Sequence, residues 1–169
     1  MRIYFIGFMG AGKTRLGKQL ALLMNFSFID LDQLITQQEG QSINEIFETQ
    51  GEIYFRQLER DILFQTTQYK NTIISTGGGT PCFHNNMEWI NKQGISIFLD
   101  VDEIVLCNRL WIGRHKRPLI SKIPKEGLAL FIRKKMQTRL PFYNQSHIQY
   151  KVLEEDQKSA EELYQFLSY

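Results

Sequence analysis

Long apolar runs are missing from this 169-residue chain. None approaches the ~20 residues that a membrane-crossing helix needs, so no membrane partner is expected. Cysteine is scarce too: Cys82 and Cys107 lie far apart, with no C-x-x-C pair and no histidine at ligand spacing. That excludes a disulfide framework and leaves two free thiols in a reducing compartment as the plain reading. His84, His115 and His147 form no metal-binding spacing. Nor is charge of one sign in excess. The 20 basic and 18 acidic residues leave a net +2, too little for a general nucleic-acid binder, so no nucleic-acid partner is expected. The opening MRIYFIGFMG breaks into glycine before a secretory apolar region can form. A cytoplasmic location without a signal peptide is the expectation.

What is present is the composition of an ordinary globular domain. At 43% hydrophobic and 22% charged residues, the chain can bury a core as one domain spanning residues 1–169. Short apolar runs at Ile3–Ile6, Phe26–Ile29, Thr72–Ser75, Ile95–Leu99 and Ile148–Val152 read as strands. Between them Leu16, Leu20 and Leu23 mark one helix face, and Phe55, Leu58 and Ile62 mark another. The S-x-x-E patterns at Ser42–Glu45 and Ser159–Glu162 predict capping boxes, and Gly51 marks a helix boundary. Such alternation predicts an α/β fold with a parallel sheet covered by helices on both faces. Two segments break the alternation: Leu31 to Thr67 is wholly helical in pattern, and Gly113 to Pro124 is a basic, proline-bearing loop.

The segment GFMGAGKT, residues 7–14, carries chemistry. It matches G-x-x-x-x-G-K-[ST] in full, after a strand and before an amphipathic helix. Its glycines let backbone N–H groups turn inward onto phosphate oxygens, and the helix end adds positive dipole at the same spot. Gly10, Ala11, Gly12, Lys13, Thr14 and Arg15 are therefore the candidate nucleotide-binding residues. Lys13 can reach the β/γ-phosphates and Thr14 can ligate Mg²⁺. A GTPase would also need D-x-x-G and N-K-x-D, and neither occurs. A motor-type ATPase would need an apolar strand ending in a metal-binding acid. Asp100 could serve, although an acid there is more simply a helix N-cap.

Two further stretches follow strands. FIDLD places Asp30 and Asp32 on one side of a strand end, one suited to a metal and one to an acceptor hydroxyl; an N-cap role is the alternative. STGGG, residues 75–79, holds three consecutive glycines, a costly choice that points to close approach of backbone to a ligand.

GFMGAGKT, FIDLD, Phe55-Arg56, STGGG, KRPL at 116–119 and R-x-P-x-Y at 139–143 stand in the order and spacing of shikimate kinases, which the chain resembles from Ile3 to about Val152. The resemblance implies a five-stranded parallel sheet flanked by helices, of the P-loop nucleoside-monophosphate-kinase-like class. It implies a helical shikimate-binding subdomain over about residues 31–60 and a lid over about 110–124. The activity would be transfer of the γ-phosphate of ATP, with Mg²⁺, to the 3-hydroxyl of shikimate, on the route to aromatic amino acids. By matched position Asp32 holds the acceptor hydroxyl, Asp30 reaches Mg²⁺ through water, and Arg56, Arg139 and the Gly78 backbone hold the carboxylate. Arg117 reaches the phosphates from the lid, making Lys13, Asp32 and Arg117 the catalytic set. Phe47 and Phe55 either wall the pocket or pack the core. Trp111 either stacks on the base or packs the lid hinge. Arg109, Arg114, His115, Lys116 and Arg117 cover phosphate or present a basic face. A monomer is expected. A gluconate-type kinase and a nucleotide-switched RNA- or partner-binding protein are the rival readings.

Overall fold

The computed structural model describes residues 1–114, 120, 122–152 and 157–168. Five strands form one sheet: β1 (Arg2–Ile6), β2 (Ser27–Asp30), β3 (Thr72–Ser75), β4 (Ile95–Asp100) and β5 (Ile148–Lys151). All four pairings are parallel and the order is β2-β3-β1-β4-β5. The helices are α1 (Lys13–Met24), α2 (Leu31–Glu39), α3 (Ile43–Gln65), α4 (Asn86–Gln93), α5 (Glu103–Ile112), α6 (Lys125–Tyr143) and α7 (Gln157–Ser168).

The central strand shows why both faces carry helices. Ile3, Tyr4, Phe5 and Ile6 are all fully buried. Successive side chains of a strand point to opposite faces. Ile3 and Phe5 enter one core with Leu16 and Leu20 of α1, Leu106 and Leu110 of α5, and Leu163 of α7. Tyr4 and Ile6 enter the other, with Leu58 and Ile62 of α3, Ile90 of α4 and Tyr143 of α6. No described helix is long and apolar enough to cross a membrane.

Local signals set the helix ends. Ser42 caps α3: its hydroxyl accepts the Glu45 N–H while the Glu45 carboxylate accepts the Ser42 N–H, the reciprocal box its sequence predicts. Gly51, at φ 82°, breaks α3 into two helical pieces. The second S-x-x-E pattern behaves otherwise. Ser159 lies inside α7, which is already under way at Gln157, and it is buried, so it does not cap the helix. Asp100 ends β4, but the N-cap of α5 is Asp102.

One glycine pins the sheet. A Cβ on Gly94, between α4 and β4, would lie 2.4 Å from the backbone carbonyl oxygen of Arg2 in β1. Backbone cannot swing aside as a side chain can. Gly94→Ala should therefore cost about 1–3 kcal/mol and lower the melting temperature by roughly 2–12 °C. A thermal melt matching the native protein would show that β1 has room to shift there.

Candidate active site

The C-terminal ends of β1, β2 and β3 lie on one edge of the sheet, where the strand order reverses and open α/β sheets bind ligands. Beyond β1 the chain enters the glycine loop. Gly10 (φ 81°) and Gly12 (φ 91°) take left-handed backbone that side chains disfavour. Gly12 also N-caps α1. The Lys13 ammonium is buried and donates to the carbonyls of Gly7 (2.8 Å) and Phe8 (3.0 Å), so loop and lysine brace each other. Ala11 is placed differently from its neighbours. Its methyl group joins the core and its N–H donates to the Phe8 carbonyl, 3.1 Å away.

Asp30 combines the two readings its sequence allows. One carboxylate oxygen accepts the Asp32 N–H (3.1 Å) as the N-cap of α2, and the other accepts the Thr14 hydroxyl (2.8 Å). Thr14 and Asp30 thus form a pair of hard oxygen donors beside the loop. Among the described residues there is no cage of three or more His, Cys, Asp or Glu side chains. The oxygen donors of Thr14 and Asp30 suit Mg²⁺, which takes few protein ligands and fills its shell with water and phosphate.

Asp32 is exposed on the cleft wall, its carboxylate lying against Gly77 beside Glu59. Burial, with the negative charges of Asp30 and Glu59 added, pushes its carboxyl up to about 6, while Lys13 and Arg56 pull it partly back. A carboxylate in this range is suited to accepting a proton near neutral pH.

The three glycines after β3 are there for space rather than for unusual backbone, since none of them has positive φ. A Cβ on Gly77 would meet Glu59 Oε1 at 2.7 Å and Asp32 Oδ1 at 3.0 Å. On Gly78 it would meet Arg139 Nη1 at 3.0 Å, and on Gly79 it would meet Arg56 Nη1 at 2.6 Å. Charged side chains lie against this bare backbone one after another. The sequence pointed to a ligand approaching this run; the neighbours the structure shows are protein side chains.

Arg56 is paired with Glu59 (2.8 Å) and Glu52 (3.2 Å) on its own helix. Glu59 is 1% exposed and also accepts the Thr80 hydroxyl (2.6 Å), so it ties α3 to the glycine segment. Nothing in the sequence singles it out, because an acid three residues from an arginine reads as an ordinary surface pair. Arg139 Nη1 is buried and has no hydrogen-bond partner among the described residues. Four residues on, buried Tyr143 donates its hydroxyl to the Gly78 carbonyl, and burial raises that hydroxyl well above the ordinary phenol value. One face of α6 therefore presents both Arg139 and Tyr143 to Gly78.

The cleft over the loop has a volume of about 450 Å³, and Gly10, Gly12, Lys13, Thr14, Arg15, Asp30, Asp32, Gly78 and Arg109 line it; Arg56 and Arg139 are not on this lining but lie against Gly79 and Gly78. Arg109 donates to the Gly10 carbonyl (3.2 Å). Trp111 packs on the core with Arg114 over its ring. Phe47 and Phe55 pack together (4.5 Å) in the α3 core, beneath Arg56. Arg117 lies outside the described residues, as do His115 and Lys116.

A family model described as shikimate kinase matches residues 9–168. The chain belongs to the shikimate kinase family. A shikimate kinase from Phocaeicola vulgatus is 43% identical over 157 residues, covering 93% of this chain and 90% of the relative. The crystal structure of shikimate kinase from Bacteroides thetaiotaomicron superposes with a TM-score of 0.94 at 38% identity, covering 100% of this chain and 99% of that one. A shikimate kinase from Acinetobacter baumannii, solved in complex with shikimate, gives 0.84 at 32% identity over 99% of this chain and 90% of that one. Shikimate kinases are ATP-dependent kinases, and the phosphate loop, the five-stranded parallel sheet and the flanking helices described above are this family's parts in this chain.

Proposed function

We propose that the cleft transfers the γ-phosphoryl group of ATP to the 3-hydroxyl of shikimate, with Lys13, Asp32, Arg56 and Arg139 in separate roles. Inward-facing N–H groups of the Gly10–Thr14 segment and the end of α1 hold the phosphates. Arg15 and Arg109 border them from the cleft wall. Lys13, held by the carbonyls of Gly7 and Phe8, presents its charge to the transferring group. Thr14 would hold Mg²⁺ directly and Asp30 would hold it through water; the ion would supply positive charge against the charge that develops on the phosphates. Asp32 orients the acceptor hydroxyl and takes its proton. Arg56, Arg139 and the Gly78 backbone grip the acceptor carboxylate. Residues 31–60 act as the acceptor-binding subdomain and 110–124 as the lid, from which Arg117 reaches the phosphates.

The observation that carries this reading is the buried, unpartnered Arg139 Nη1 beside Gly78. A buried donor without a partner is costly, and an acceptor anion relieves that cost. A guanidinium meets a planar carboxylate with two parallel hydrogen bonds, which lysine cannot reproduce. Charge-assisted bonds contribute ~1.5–3 kcal/mol each, so Arg56→Lys and Arg139→Lys should each raise the shikimate KM roughly 10- to 150-fold. The ATP KM should hardly move. A shikimate analogue with the carboxylate reduced to an alcohol should be a poor substrate and discriminate little between native enzyme and variants. If the alcohol serves as well as shikimate, the carboxylate clamp is wrong.

A further inference from the structure

We propose that Phe83 is a positioning residue for the acceptor: its ring caps Arg56 and holds the guanidinium in the plane that receives the substrate carboxylate. The proposal rests on the reading of Arg56 as a carboxylate grip and adds a residue from outside α3 to it.

The guanidinium of Arg56 sits among three aromatic rings. Phe47 and Phe55, on its own helix, have their centroids 5.9 and 5.1 Å from Cζ. Phe83 is nearer, at 4.2 Å, and comes from the segment that follows the glycine run. A ring face attracts a guanidinium without using any of its N–H groups. Glu59 and Glu52 already engage Nη1, Nε and Nη2. A further carboxylate thus needs the remaining donors kept in a fixed plane, and stacking fixes a plane while consuming none.

The backbone around Phe83 is built to hold it there. Asn86 is fully buried; its side-chain amide donates to the Thr80 carbonyl (2.9 Å) and its backbone N–H to the Phe83 carbonyl (2.9 Å). His84 (φ 52°) and Asn85 (φ 57°) are consecutive non-glycine residues in left-handed backbone. Such a pair persists only where surrounding contacts over-determine it. The same segment reaches Arg56 a second time, because Thr80 bonds Glu59 and Glu59 pairs with Arg56. Residues 80–86 therefore hold the guanidinium by an edge, through Glu59, and by a face, through Phe83. Phe83 is 36% exposed, so water screens the stack in part and the effect is moderate.

The test compares Phe83→Ala, Phe83→Leu and Phe83→Tyr with Arg56→Lys and with the Phe83→Ala/Arg56→Lys double variant. Shikimate KM, ATP KM and kcat are measured for each, with a thermal melt as a check on folding. Phe83→Ala should raise the shikimate KM roughly 2- to 30-fold and leave the ATP KM unchanged. Leucine restores bulk but no ring face and should behave like alanine, while tyrosine should stay within about twofold of native. In the Arg56→Lys background, Phe83→Ala should add little, since both changes act on one contact. A native KM in the leucine variant, or equal shifts in the KM of both substrates, would overturn the proposal. If Arg56→Lys raises the shikimate KM and Phe83→Ala does not, the ring fails and the carboxylate grip stands. If Arg56→Lys changes nothing, the grip itself fails.

Discussion

Replacing Lys13 with alanine should leave a folded protein that turns over almost nothing. The ammonium is held inside the loop by the Gly7 and Phe8 carbonyls, with its charge already where phosphate must arrive. Such preorganised charge needs no reorganisation as the transition state forms, and removing one donor of this kind typically costs ~10²–10³ in kcat. Lysine is a full charge rather than a dipole, so the loss should reach or exceed the top of that range. The loop should survive, because its glycine backbone and the Ala11-to-Phe8 hydrogen bond do not depend on the lysine. ADP release in the presence of shikimate, together with a thermal melt, decides the matter. An unfolded variant would make Lys13 a structural brace; a folded variant with near-native turnover would remove it from the chemistry.

Asp32→Asn should give the second-largest loss, about 10²–10⁴-fold in kcat, the usual range for a general base. The amide keeps the shape and loses the proton acceptor. The sign of the pH dependence follows from the raised carboxyl. Asp32 acts as a base only when ionised, so native kcat/KM should fall as pH drops through its titration. Without metal that point is about 6, and a cation at neighbouring Thr14 would lower it. The acid limb should therefore lie at or below about pH 6 and be missing from the residual activity of the asparagine variant. ATP-analogue binding should persist. A variant that keeps the same acid limb would assign that titration to another group.

Local chemistry made much of the cleft legible in advance. GFMGAGKT declares its purpose because glycine, lysine and threonine must be contiguous to wrap a phosphate, and its strand and helix neighbours are contiguous too. Asp30 was readable because it ends a strand at the sheet edge, whereas Asp32 reaches the cleft from the first turn of α2, so strand alternation was the wrong reason for it. Glu59 was not readable, because its importance comes from lying against Gly77 and Thr80, which are distant in sequence. The same reason hid Phe83, whose partner Arg56 belongs to another element. Tyr143 stood inside a quoted motif, yet its bond to Gly78 crosses 65 positions. Ser159–Glu162 misled for the opposite reason. A short pattern fits a helix start by chance when an upstream residue has already begun the helix.

The strand order also governs the sequence of events as the chain is made. β1 comes near the front of the chain and lies in the middle of the sheet. Its two neighbours pair through Arg2 with Thr72 and through Ile3 with Ile95. A ribosome emitting the chain releases β1 and the phosphate loop long before either flank exists. The loop's carbonyls and lysine can brace each other only once β1 is fixed, so competence to hold nucleotide must wait until β4 has emerged. Until β3 emerges, the four consecutive apolar or aromatic positions Ile3–Ile6 stand as a bare strand with both edges open, the kind of segment on which newly made chains associate wrongly. The strand that carries the phosphate loop in the finished enzyme is thus an exposed one during synthesis.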